Sequence, residues 1–202
     1  MKTRLLEISA FFSLFICIIS CLSFESDCES IRGKVLRLHV IANSDSEYDQ
    51  ELKLKVRDTI LKDSEELFSS DELSEAEREV ESALDALRVS AESAVKAQGS
   101  SYSVRVTFEP TYFPTREYEN VTLPAGIYKS LKVIIGEGEG KNWWCVLFPP
   151  MCLSAAQKEE DVLSKVLCED ELSLVSKSPK YEVRFWIVEK FQEFKRSHKT
   201  KA

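Results

Sequence analysis

The spacing of apolar residues shifts from a helical to an alternating period between Ala97 and Tyr102, and that shift limits the fold more than any other feature. Before it, Ala76, Val80, Ala83, Leu84, Leu87, Ala91, Ala94 and Val95 recur three and four apart. This is the period of a helix with one apolar stripe. Ser74 and Glu77 offer a capping box at its start, and Gly99 a left-handed cap at its end. After the change, Tyr102, Val104, Val106 and Phe108 alternate with Ser103, Arg105 and Thr107. That is the period of a half-buried strand. A chain that uses the two periods in separate blocks predicts an α+β fold.

The remaining segments extend this reading. Lys34 to Ala42 (KVLRLHVIA) is β-branched and alternates, with Leu36, Leu38 and Val40 on one face and Val35, Arg37, His39 and Ile41 on the other. Asn43 to Ser46 are short polar side chains that break a strand and favour a turn and an N-cap. Ser46 with Asp49 resembles a capping box, which predicts a helix over Glu47–Phe68 with Leu52, Val56 and Ile60 on its stripe. Two helices joined by a short loop form an antiparallel pair. Further on, Pro110 to Pro114 reads as a break and Thr115–Thr122 as the return arm of a hairpin. Ser130–Ile135, Trp143–Phe148 and Tyr181–Val188 read as strands and Ala155–Leu167 as a helix. The expected architecture is an antiparallel or mixed sheet of about five to six strands, with the N-terminal helix pair packed on one face.

The N-terminus sets the compartment. Lys2 and Arg4 precede an uncharged, mostly apolar stretch of 15 residues, Ile8 to Leu22. A spanning helix needs about 20, so the stretch fits the core of an export signal. Three fates fit it: cleavage after Ser23, lipidation of Cys21 in a lipobox-like Ile18-Ile19-Ser20-Cys21, or retention as an anchor. The expected division is residues 1–23 as signal or anchor, 24–33 as linker, 34–190 as one domain and 191–202 as a basic tail. Cys28, Cys145, Cys152 and Cys168 then remain in an oxidising space. Cys145 and Cys152 flank Pro149-Pro150, which can turn the chain back and bring the thiols together. A buried strand cysteine with a free thiol is the competing reading for Cys145.

Composition excludes some functions. The formal charge is −7, which repels phosphate backbones and disfavours nucleic acid as a partner. With two histidines and no Cys-x-x-Cys pair there is no zinc pattern, and no cofactor motif is present. Gly136-Glu137-Gly138-Glu139-Gly140 places carboxylates where a phosphate loop needs neutral or cationic groups, so it reads as a turned hairpin loop. His39, Ser44 and Asp45 contain the residue types of a hydrolytic triad, but triads are defined by geometry and not by nearness in sequence. The more economical role for them is to order the strand-to-helix turn. Asp49–Lys53 and Glu51–Lys55 are acid-before-base pairs on a helix face. Trp143 and Trp144, adjacent on a strand, must point to opposite faces, and an outward tryptophan is a common interface anchor.

Five segments carry a resemblance: LRLHVIANSDS (Leu36–Ser46), DQELKLKVRD (Asp49–Asp58), LPAG (Leu123–Gly126), VIIGEGEG (Val133–Gly140) and NWWCVLFPPMC (Asn142–Cys152). Together they resemble the stage II sporulation protein R family of endospore-forming bacteria. The resemblance implies a protein made in the forespore and exported into the space between the two membranes. There it would trigger a membrane-embedded aspartic protease of the mother cell to process the sigma-E precursor. It implies a ligand and not an enzyme. No cofactor is expected, and the lipobox-like Cys21, a departure from the family's usual pattern, leaves both free secretion and an N-terminal membrane tether open. The expected partner surface is Trp143 or Trp144 with Asn43, Ser44, Asp45, Arg57 and Asp58. An exported envelope hydrolase using His39 with Asp45 or Asp49, and a structural module of an envelope complex, are the competing readings.

Overall fold

The computed structural model describes residues 2–68, 72–151, 159–176 and 179–199. A four-stranded mixed sheet organises them. Strand β1 (Leu36–Ile41) is central. It runs parallel to β5 (Gly126–Ile135) and antiparallel to β6 (Asn142–Phe148). β2 (Val104–Phe113) lies antiparallel to β5 along ten residues. A separate short ribbon pairs β3 (Arg116–Glu117) with β4 (Thr122–Leu123). The fold is α+β, with four main strands and this ribbon in place of a single sheet of five or six.

The helix pair packs on one face, as its stripes require. α2 (Glu47–Leu67) starts at Ser46, whose hydroxyl accepts the Asp49 N–H at 3.2 Å. It buries Leu52, Val56 and Ile60. α3 (Leu73–Ala97) buries Ala76, Val80, Ala83, Leu87, Ala91 and Val95, and Gly99 follows it with φ +76°. The helix begins before Ser74, capped at Glu72, so the Ser74–Glu77 capping box does not form. Glu77 pairs instead with Lys129 of β5. Leu36, Leu38 and Val40 of β1 close this first core with Leu131, Val133 and Ile135 of β5 and with Cys145 and Leu147 of β6.

The opposite face is covered too, by elements the sequence reading assigned otherwise. α1 (Lys2–Arg32) continues through all but the last residue of the expected linker at 24–33. Its last turns bury Phe24, Cys28 and Ile31, spaced four and three apart. Tyr181–Val188, expected as a strand, lies in α6 (Pro179–Lys199), which also takes in the described part of the basic tail. There Phe185 and Val188, three apart, point inward while Trp186 and Ile187 are exposed. A short β-branched and aromatic run satisfies either period, and packing against α1 decides it. α4 (Glu159–Leu163) and α5 (Glu169–Val175) complete this layer. The beginning of the expected Ala155–Leu167 helix lies outside the described residues. β2 runs straight through Pro110, where a break was expected. It can do so because β2 is an edge strand, where a missing N–H costs no ladder bond.

Candidate functional site

The C-terminal ends of β1 and β5 and the start of β6 lie side by side, and their connections interlock. The hub is Asp49, buried in the first turn of α2. Its Oδ2 accepts from Ser44 Oγ at 2.6 Å and from Asn43 Nδ2 at 2.9 Å. Burial pushes its pKa up, but hydrogen bonds led by Ser44 and Asn43 outweigh this and hold the carboxyl below its usual range. The turn is therefore clamped to the helix that follows it.

The same turn is clamped to the glycine loop. Asn43 Oδ1 accepts the Glu137 N–H at 3.1 Å, Asp45 Oδ1 accepts the Lys141 N–H at 2.7 Å, and Gly140 N–H donates to Ala42 O at 2.9 Å. Lys53, buried beneath, donates to Lys141 O at 3.0 Å. The glycines allow this approach. A Cβ on Gly140 would sit 2.2 Å from Ser44 O, and one on Gly136, at φ +58°, 2.2 Å from Asn43 Oδ1. Loop 136–140 is thus a tight cover over the turn.

Trp143 and Trp144 take opposite faces of β6. Trp143, half-buried on the helix-pair side, lies under the Arg57 guanidinium, 4.3 Å from its ring centre. Arg57 also holds Asp58 at 2.6 Å. Trp144 stacks on the His39 ring at 3.8 Å and meets Phe113 edge-on at 4.8 Å. His39 Nε2 lies 2.7 Å from Asn142 Oδ1, and its buried Nδ1 has no hydrogen-bond partner. Protonation would bury a donor with no acceptor, and burial lowers the pKa to about 4, against a smaller opposing effect of Asn142. Next to it Arg37 is fully buried. Its Nε donates to Cys145 O and its Nη2 to Tyr118 Oη, both at 2.8 Å, and its guanidinium lies 4.3 Å from the Phe113 ring and 4.9 Å from that of Tyr128. Arg37 forms no ion pair with a carboxylate among the described residues. Aromatic faces stand in for the counterion.

The residues singled out from sequence therefore gather at one end of the sheet: Asn43, Ser44 and Asp45 in the turn, Arg57 and Asp58 on the helix above Trp143, and Trp144 behind. They do not gather as a triad. Ser44 is committed to Asp49, Asp45 to Lys141 and His39 to Asn142. Cys145 is disulfide-bonded, while Cys28 and Cys168 are free. Cys152, and Cys21 as a lipid acceptor, have side chains outside the described residues. The buried Arg37 was missed because it alternates with His39 on a face that reads as mixed.

The sequence profile of the family described as stage II sporulation protein R (spore_II_R) matches residues 32–158. The chain belongs to that family. The matched span runs from the last residue of α1 through the sheet and the helix pair, and it contains the whole interlocked end. A stage II sporulation protein R of Bacillus subtilis (strain 168) is 34% identical over 181 residues, covering 79% of this chain and 80% of that protein. No solved structure matches.

Proposed function

We infer that this member of the stage II sporulation protein R family is an exported signal. It acts from the space between forespore and mother cell by binding a membrane-embedded aspartic protease, which then processes the sigma-E precursor. The observation that carries the reading is the convergence, at one end of the sheet, of segments that carry the family resemblance. Asn43–Asp49, Gly136–Lys141 and Trp143–Trp144 interlock there and present Asp45, Glu137, Glu139, Lys141 and Asn142 to solvent. A rigid end with an arginine-capped tryptophan suits recognition, since ordered anchors lose little entropy on binding. Binding would favour the active arrangement of the protease by population shift. The uses already made of His39, Ser44 and Asp49 favour a ligand over a hydrolase.

The export segment supports the same reading. Along α1 the described side chains up to Ser23 are exposed, and the first buried one is Phe24. A chain cleaved after Ser23 keeps the whole described core. Among the described residues no helix is long and apolar enough to cross a membrane.

The test is expression in the forespore of a sporulating strain lacking its own signal, with sigma-E precursor processing followed by immunoblot. The full chain should restore processing, and a chain lacking residues 1–23 should not. Failure with stable, exported protein, persisting after the cognate protease is supplied, would refute the reading.

A further inference from the structure

α6 has two apolar faces. The inner one, Phe185 and Val188, packs on α1, where Phe24 and Phe185 have ring centres 5.5 Å apart and Gln192 donates to Glu25 at 2.6 Å. The outer one carries Trp186, Ile187, Phe191 and Phe194, exposed to 61%, 44%, 45% and 60%. At 100° per residue these four fall within about 140° of the helix circumference. Four large apolar side chains on one exposed stripe exceed the scattered singles of an ordinary surface.

Charge says what this face meets. From Pro179 to the C-terminus there are seven Lys or Arg against three Asp or Glu, while the first 178 residues hold 20 against 31. An acidic protein thus carries a net positive charge in the C-terminal segment, whose helix also exposes tryptophan and phenylalanine. Aromatic residues next to lysine and arginine on a surface helix form the pattern of an interfacial helix, with rings at headgroup depth and cations on anionic lipid.

We propose that α6 lies on an anionic membrane surface, with Trp186, Ile187, Phe191 and Phe194 in the headgroup layer and the C-terminal lysines on lipid phosphates. This surface is distinct from the interlocked sheet end. It would hold the protein beside a membrane without occupying the end proposed for the protease. The proposal does not depend on the protease reading, because its test contains no protease.

The full chain is bound to vesicles of brominated phosphatidylcholine, with or without about 30 mol% brominated phosphatidylglycerol. The Trp186→Phe variant is run in parallel, and the difference in emission isolates Trp186 from Trp143 and Trp144. The apolar Ile8–Leu22 stretch brings the chain to both vesicle types, so the readout is quenching of Trp186 and not binding. Quenching of at least twofold is expected on anionic vesicles, with little on neutral ones, and Lys195→Glu with Lys199→Glu should abolish the difference while the melting curve is kept. Absent quenching, or equal quenching on both vesicle types, would overturn the proposal. So would protection of Trp186 that rises with protein concentration in the absence of lipid, since the face would then belong to a second copy.

Discussion

The two faces of the sheet are covered by different means. On one, two long helices lay continuous stripes over Leu36, Leu38 and Val40, and the contact is aliphatic throughout apart from the edges. On the other, the ends of the chain return as α1, α4, α5 and α6, and the sheet offers them a buried arginine, a buried neutral histidine and the rings of Phe113, Tyr128 and Trp144. The first face lies inside the span matched by the family, whereas α5, α6 and nearly all of α1 lie outside it. An aliphatic layer gets its stability from volume and area. The polar-aromatic layer depends on every donor finding an acceptor or a ring.

That contrast orders the expected effects. The largest should come at the sheet end joining the faces. Gly140→Val puts side-chain atoms into the Ser44 carbonyl and Ala42, and should cost about 3 kcal/mol or more in urea titration, because overpacking against backbone cannot relax. Leu87→Ala, in the aliphatic layer, should cost about 3 kcal/mol through lost burial and a cavity. Arg37→Met keeps most of the volume but removes the bonds to the Cys145 carbonyl and the Tyr118 hydroxyl, so a smaller loss of about 1–2 kcal/mol is expected. If Arg37→Met proved more costly than Leu87→Ala, the contrast between the layers would be wrong.

The polar-aromatic layer should also be the pH-sensitive one. His39 has a folded pKa near 4, below its ordinary value. The unfolded chain therefore takes up the proton first, and stability falls as pH drops from about 6.5 to 4. Glu171 is buried, which raises its pKa, but bonds from Lys34, Ser30 and the Cys168 N–H bring it down to about 2. Its contribution is complete above about 4.5 and is lost as pH falls toward 2. His39→Phe should flatten the upper limb of a stability–pH curve, and Glu171→Gln the lower one. A smaller effect concerns covalent state. Peptide mapping without reduction should find Cys145 joined to Cys152, with Cys28 and Cys168 as free thiols. Any other partner for Cys145 would change how the end of β6 is anchored.

The same contrast explains what could be read in advance. α2 and α3 were legible because a long one-sided helix must repeat its apolar residues every three or four positions, and Ser46 and Gly99 mark two of their ends. Trp143 and Trp144 on opposite faces followed from the strand pleat alone. α6 was not legible, because the run Tyr181–Val188, rich in Tyr, Val, Phe, Trp and Ile, fits a strand as well as a helix, and only the fit of Phe185 against Phe24 distinguishes them. The Phe24, Cys28 and Ile31 stripe was present in the sequence but hidden by its continuity with the export segment. The clasp of loop 136–140 over the Asn43–Ser46 turn joins residues about a hundred positions apart, and no local pattern encodes such a contact. Asp49 was seen as a capping residue, whereas its carboxylate anchors the turn through Asn43 and Ser44 while the Ser46 N–H donates to Ser44 Oγ.

The most direct test of the central claim is a double substitution at the clasped end, Arg57→Ala with Trp143→Ala, assayed for sigma-E precursor processing in the forespore. Exposed residues of α3, Glu81→Ala with Asp85→Ala, serve as the control. At matched levels of exported protein, processing should fall at least tenfold with the first pair and stay unchanged with the second. Processing at the wild-type rate with Arg57 and Trp143 both removed would contradict the assignment of this end of the sheet as the signalling surface.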